Sequence, residues 1–168
     1  MNQRMTTGEA LAWFDTLGTV SVEEMLGRWR GEGIDTGHYL DGMLEAARWH
    51  GKVFESADEG FPLVHYGPFG GRYCINPALL PIRLCAALPA KSVLFPVLMP
   101  VLRPILSTRK PKSRLRMTEY RGKLSATMIY DAKPINDVFR RIDADSVLGL
   151  MDHRGDAEPF FFKLIREA

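Results

Sequence analysis

Hydrophobic and polar positions along this chain change period repeatedly. Ala10, Trp13, Phe14 and Leu17 recur at helical spacing behind Thr6 or Thr7, either of which can cap a helix through Glu9–Phe14. Ser21 followed by Glu24 forms a capping box and predicts one helical turn over Val22–Leu26. That turn meets Gly27-Arg28-Trp29-Arg30-Gly31-Glu32-Gly33. On a strand, Gly27, Gly31 and Gly33 share one face with Trp29 and leave it otherwise bare, so a large group is expected against that backbone.

Thr36 can start a second amphipathic helix over His38–Trp49, with Leu40, Met43, Leu44 and Ala47 as its apolar stripe. Extended segments follow at Lys52–Ser56, Pro62–Tyr66 and Arg72–Asn76, separated by turns at Asp58-Glu59-Gly60 and Gly67-Pro68-Phe69-Gly70-Gly71. From Pro77 to Leu106 the pattern is apolar and punctuated by Pro77, Pro81, Pro89, Pro96, Pro100 and Pro104. This predicts short helices around Ala78–Ala87 and argues against one long helix. The uncharged run Ser92–Leu102 has about half of the ~20 residues that a bilayer span needs. Alternation then returns over Arg114–Arg121, Leu124–Asp131, Ile135–Ile142, Ser146–Asp152 and Pro159–Arg166, a meander with short turns.

These segments, with the glycine-motif strand, suffice to close a barrel. The expectation is a single mainly β domain over residues 1–168: an antiparallel barrel with amino-terminal helices and an apolar, Pro-rich insertion at 77–112. Ser146–Met151 is apolar on both faces, so alternation does not fix which face of that strand points inward.

Composition narrows the class. A hydrophobic fraction of 46% and a charged fraction of 25% are those of a globular chain. The amino terminus lacks the continuous apolar core of a signal peptide, so a cytoplasmic location is expected, with Cys74 and Cys85 as free thiols. The net charge of +2 conceals segregation: residues 77–123 carry ten Lys or Arg against one Asp or Glu, and both flanks are net acidic. Positive charge beside the most apolar stretch suits anionic amphiphiles and an anionic membrane surface. The basic stretch Arg109–Arg116 lacks interleaved aromatics for base stacking, so no nucleic-acid partner is expected. It also reads as a solvated loop entering an edge strand.

Gly27-Arg28-Trp29-Arg30-Gly31 with His38-Tyr39-Leu40-Asp41 resembles the short GXWXG domain of bacterial and fungal proteins. Arg114–Gly122, Ser125–Asp131, Pro134–Asp137, Phe139-Arg140-Arg141, Gly149–Asp152 and Phe160-Phe161-Phe162 resemble the domain of unknown function that accompanies it. More distantly, the G-x-W run is similar to that of calycin barrels, the lipocalins, fatty-acid-binding proteins and nitrobindins. The lipocalin likeness implies that Trp29 seals a closed end, crossed by an Arg from the last strand: Arg166, or behind it Arg140. The nitrobindin likeness would imply haem on a carboxy-terminal His, but the last strand has none, so no cofactor is expected. No metal-ligand spacing links His38, His50, His65 and the cysteines.

The expected function is binding of a hydrophobic or amphipathic, lipid-like ligand in a barrel cavity. Met117, Met128, Tyr130, Phe139, Leu148, Leu150 and Phe162 are the candidate lining, and Arg103, Arg114 and Arg116 the candidate head-group contacts. As an alternative, Glu119, Tyr120, Tyr130, Asp137 and Arg140 could converge as acid and base for a small barrel enzyme acting on a hydrophobic acid, although Asp137 with Arg140 equally reads as a surface ion pair. An enzyme would bring titratable groups together at the cavity, whereas a carrier would keep them at its mouth. A third class, an interaction module, would show no cavity but a large exposed patch at residues 92–106 against a second copy, as a homodimer, or against another partner.

Overall fold

The computed structural model, which describes residues 4–67, 71–87 and 91–168, shows the strands wrapped into a closed antiparallel wall. The strands are β1 (Gly27–Gly33), β2 (Trp49–Phe54), β3 (Gly60–Tyr66), β4 (Arg72–Ile75), β5 (Ser107–Thr108), β6 (Ser113–Tyr120), β7 (Lys123–Tyr130), β8 (Ile135–Arg141), β9 (Ser146–His153) and β10 (Phe160–Arg166). β1, β10, β9, β8, β7, β6, β3 and β2 pair in that order, and β2 returns to β1, making an eight-stranded barrel. β4 and β5 continue outward from β3. The seam between β3 and β6 is thin: a single ladder pair, Gly60 opposite Ser113, joins them.

Three α-helical segments precede β2: α1 (Thr7–Thr16), α2 (Val22–Met25) and α3 (Met43–Ala46). Capping boxes start the first two: Thr6 and Glu9 exchange bonds at α1, and Ser21 and Glu24 at α2. The helix expected over His38–Trp49 shrinks to α3. Gly42 and Arg48 both take positive φ, 74° and 56°, breaking the helix on either side, and Trp49 is already in β2.

The double-sided apolar pattern of β9 has two destinations. Val147 and Met151 face the barrel interior with Met128, Phe139 and Phe162. Leu148 and Leu150 face outward, where α1 covers them with Ala10 and Phe14. Arg140 shares this outer face. Its guanidinium lies 4.8 Å from the Phe14 ring centroid and donates to the Tyr120 carbonyl at 2.8 Å.

Past β4, a 3-10 turn (Pro77–Leu79) and α4 (Ile82–Ala87) match the short helices expected there. The rest of the segment corrects the sequence reading, because α5 (Lys91–Leu106) runs through Pro96, Pro100 and Pro104. Four-residue spacing stacks these prolines on one exposed side, so the carbonyls they leave unpaired lie toward water. Phe95, Met99 and Leu106 occupy the opposite side and pack with Ile75 and Ala46. In the turn joining β3 to β4, Gly67 N–H donates to the Gly71 carbonyl at 3.0 Å; residues 68–70, like Pro89, lie outside the described residues.

Candidate functional site

The glycine motif is filled from within the chain. The Trp49 indole lies across Gly31, where an added Cβ would come within 2.0 Å of the ring, and the Glu45 carboxylate accepts from Gly33 N–H at 3.0 Å. Trp29 is buried at one end of the barrel beneath α2. Its Nε1 donates to the Met25 carbonyl at 2.8 Å, and the Arg166 guanidinium stands 4.3 Å from its ring centroid. Arg166 also donates to the Leu26 carbonyl at 3.0 Å, tying β10 to the end of α2. A cation over an indole contributes roughly 0.5–2 kcal/mol, so this arrangement serves as an end plug.

The other end holds a chamber of about 110 Å³. Its walls come from Trp49 and Lys52 of β2, Leu63 of β3, Tyr130 of β7, Ile135 and Asp137 of β8, Met151 of β9, and Phe160 and Phe162 of β10. Leu40, Met43 and Leu44 close it from the α3 region, and Pro77, Leu80 and Ile82 from the segment after β4. The stripe expected on a helix over His38–Trp49 thus becomes part of a lid.

Inside this apolar shell lies a buried ion pair. Lys52 Nζ is 2.8 Å from Asp137 Oδ2, with the two side chains 3% and 1% exposed. Three rings surround the amine, with centroids at 4.9 Å (Phe162), 5.5 Å (Trp49) and 5.7 Å (Tyr130). Asp137 Oδ1 has no hydrogen-bond partner, and the Tyr130 ring shares the same wall. Burial pushes Lys52 down and Asp137 up, each opposed by attraction to the other, and it pushes Tyr130 well up. The low-dielectric setting therefore brings the neutral amine–acid form closer in energy to the ion pair than it would be in water.

Of the residues singled out from the sequence, Tyr130 and Phe162 line the chamber, while Met128 and Phe139 belong to the interior core beyond it. Leu148 and Leu150 lie on the outer face under α1, and Met117 is 40% exposed. The three arginines stay outside the chamber: Arg103 lies over the Tyr73 ring, Arg114 pairs with Asp131 at 3.7 Å, and Arg116 with Asp58 at 2.6 Å. Within the acid–base set, Tyr130 and Asp137 meet in the chamber, Glu119 is exposed, and Tyr120 and Arg140 sit on the outer face. The surface pair Asp137–Arg140 does not form, because adjacent parity along β8 sends Asp137 inward and Arg140 under α1. Sequence reasoning missed Lys52, and its strand alternation with Phe54 was the available signal.

A larger groove of about 650 Å³, open to solvent, flanks the lid. Its polar groups are engaged with one another: Asp156 accepts from Tyr39 at 2.7 Å and from Arg83 at 2.9 Å, and its carboxylate lies 2.9 Å from His153 Nδ1. Since Arg83 belongs to α4 and Tyr39 to the stretch before α3, Asp156 fastens both halves of the lid to the loop between β9 and β10.

Buried histidine chemistry supplies a pH prediction. His65 in β3 places Nδ1 2.9 Å from the Ala47 carbonyl, and its Nε2 has no partner. Burial holds this imidazole down at about 4, against 6.5 ordinarily. Between those values the unfolded chain binds a proton that the folded chain does not, so stability should fall as pH drops from 6.5 through 4, by about 3 kcal/mol in all. In His65→Gln that share of the loss should vanish from denaturation midpoints measured across the window. An unchanged slope would remove His65 as its source.

Comparison with known proteins agrees with this architecture. The model described as "GXWXG protein" matches residues 12–70, and the model described as "Domain of unknown function (DUF4334)" matches residues 111–166. A crystal structure of a protein from Thermomonospora curvata is similar over 98% of this chain and 90% of that one, at 33% identity and a TM-score of 0.74. The chain joins a GXWXG region to a DUF4334 region. No curated protein matches it. The two matched regions build one wall: β1–β3 come from the first and β6–β10 from the second. The closed eight-stranded antiparallel barrel has the calycin-like form that the resemblance implied.

Proposed function

We propose that this protein binds a hydrophobic or amphipathic small molecule inside the barrel, with the ligand's polar group against Lys52, Asp137 and Tyr130. The observation that carries this reading is the chamber itself, an apolar enclosure with one buried charge pair on its wall. A buried ion pair is a weak source of stability, since apolar residues of equal volume often do as well. Lys52 Nζ also donates to the Pro62 carbonyl at 3.4 Å, whereas Asp137 Oδ1 has no partner, so the pair on this wall suits recognition. The volume sets the scale: a dry cavity of ~150 Å³ accepts benzene, so this one, at about 110 Å³, takes about four or five non-hydrogen atoms. A lipid-like chain would extend past Leu80 and Ile82, displacing the lid.

Short alcohols and aldehydes test this directly. Butan-1-ol at about a hundred times its dissociation constant should raise the melting temperature by roughly 5–10 °C. Leu44→Phe, which fills the chamber, should abolish the shift. No saturable shift with any compound of that size would end the proposal.

A second reading, association with an anionic membrane surface, is favoured by α5. Val97, Val101 and Ile105 are 68% to 70% exposed along its outer side, within the basic block of residues 77–123. Among the described residues no helix is long and apolar enough to cross a membrane, so the contact would be lateral. Sedimentation with vesicles containing phosphatidylserine should be strong at low salt, weak with neutral vesicles, and lost on changing the three residues to Ser. A concentration-dependent dimer dissolved by the same substitutions, without vesicle binding, would instead make this face a self-interface.

A further inference from the structure

The ion pair in the chamber has the parts of a covalent site, an inference that rests on the binding reading above. We infer that Lys52 is an attachment point for a small apolar aldehyde or ketone, held as an iminium ion beside Asp137.

The geometry argues for this in three ways. First, Lys52 Nζ is a primary amine on the chamber wall, 2.8 Å from the carboxylate that can take its proton. A lysine desolvated among apolar groups is the recurrent form of an amine nucleophile, because removal from water disfavours the ammonium. Second, Asp137 Oδ1 has no hydrogen-bond partner and Tyr130 lines the same chamber, so an acceptor and a phenol are at hand for the carbonyl oxygen as it becomes a hydroxyl and departs. Third, the product fits the place left by the reactant. An iminium ion beside a carboxylate has the charge pattern of the resting pair. The rings of Phe162 and Trp49, at 4.9 Å and 5.5 Å from Nζ, meet a delocalised cation as well as they meet an ammonium.

The step balances without any further reactant. Asp137 takes one proton from the Lys52 ammonium, and the freed amine pair forms the C–N bond as the carbonyl π electrons move to oxygen. The second amine proton and the proton on Asp137 go to that oxygen, one making the carbinolamine hydroxyl and the other releasing it as water. The nitrogen lone pair then forms C=N. In sum, ammonium and carbonyl give iminium and water, Asp137 ends as a carboxylate, and nothing is oxidised or reduced. Chamber size limits the carbonyl compound to about four or five non-hydrogen atoms with the lid closed.

The test uses the intact protein with butanal and cyanoborohydride, followed by peptide mapping. Lys52 should be alkylated at least about tenfold faster than any exposed lysine, as expected of a desolvated nucleophile. Asp137→Asn should slow that labelling while leaving surface lysines unchanged. The double variant Lys52→Met/Asp137→Leu should show surface labelling alone. Alkylation spread over Lys110, Lys112 and Lys163 with Lys52 untouched would overturn the inference. If butan-1-ol still raises the melting temperature in that case, the covalent step falls and the binding reading stands. If neither compound binds, both fall.

Discussion

Replacing Lys52 by Met should destabilise the folded chain by about 3–5 kcal/mol, and adding Asp137→Leu to the same chain should restore most of that loss. The asymmetry follows from where the pair lies. Lys52 and Asp137 are 3% and 1% exposed, so removing the amine leaves a carboxylate facing hydrocarbon, with Oδ1 already unpartnered. Removing both leaves apolar groups among Phe162, Trp49 and Ile135, which are suited to receive them. Urea denaturation of the two single variants and the double variant completes the cycle. A single replacement costing under ~1 kcal/mol would mean that water reaches the pair, and the chamber would lose its dry character.

Gly51→Ala should cost at least about 3 kcal/mol, or roughly 6–12 °C in melting temperature. Gly51 lies opposite Arg30 in the β1–β2 ladder with φ of +150°. A methyl group there would stand 1.9 Å from the Trp29 carbonyl oxygen and 2.9 Å from Gly31 N, and neither backbone atom can swing aside as a side chain would. The register shifts on either side of Gly51 in the β2–β3 pairing show how tightly this corner is drawn. Gly8→Ala in α1 is the matched control. Its nearest contact would be Thr6 Oγ1 at 3.9 Å, so the helix should gain about 0.5–1 kcal/mol instead. Equal stability of Gly51→Ala and the parent would contradict this β1–β2 geometry.

The barrel was legible in the sequence because its evidence is local. Capping boxes at Thr6 and Ser21, turns at Gly122 and Lys133-Pro134, and period-two alternation in β6–β10 depend on neighbours a few residues apart. The chamber and the long helix α5 were not legible, for three physical reasons. Leu148 and Leu150 look like lining until α1, more than a hundred residues away in sequence, is placed over them. Lys52 looks like a surface lysine until Asp137 arrives from the opposite half of the chain. The prolines of α5 look like breaks until their common side is seen to face solvent. In each case a distant segment, or water, settled what local propensity left open.

The bare strand face at Gly31 sets where one wall of the chamber stands. No atom of the glycine run touches the chamber, yet the missing methyl at Gly31 is what lets the Trp49 indole lie flat and become a wall. The bore of the compartment is therefore governed from behind its panelling. A substitution on the far side of that indole would change which molecules fit while leaving every contact residue in place.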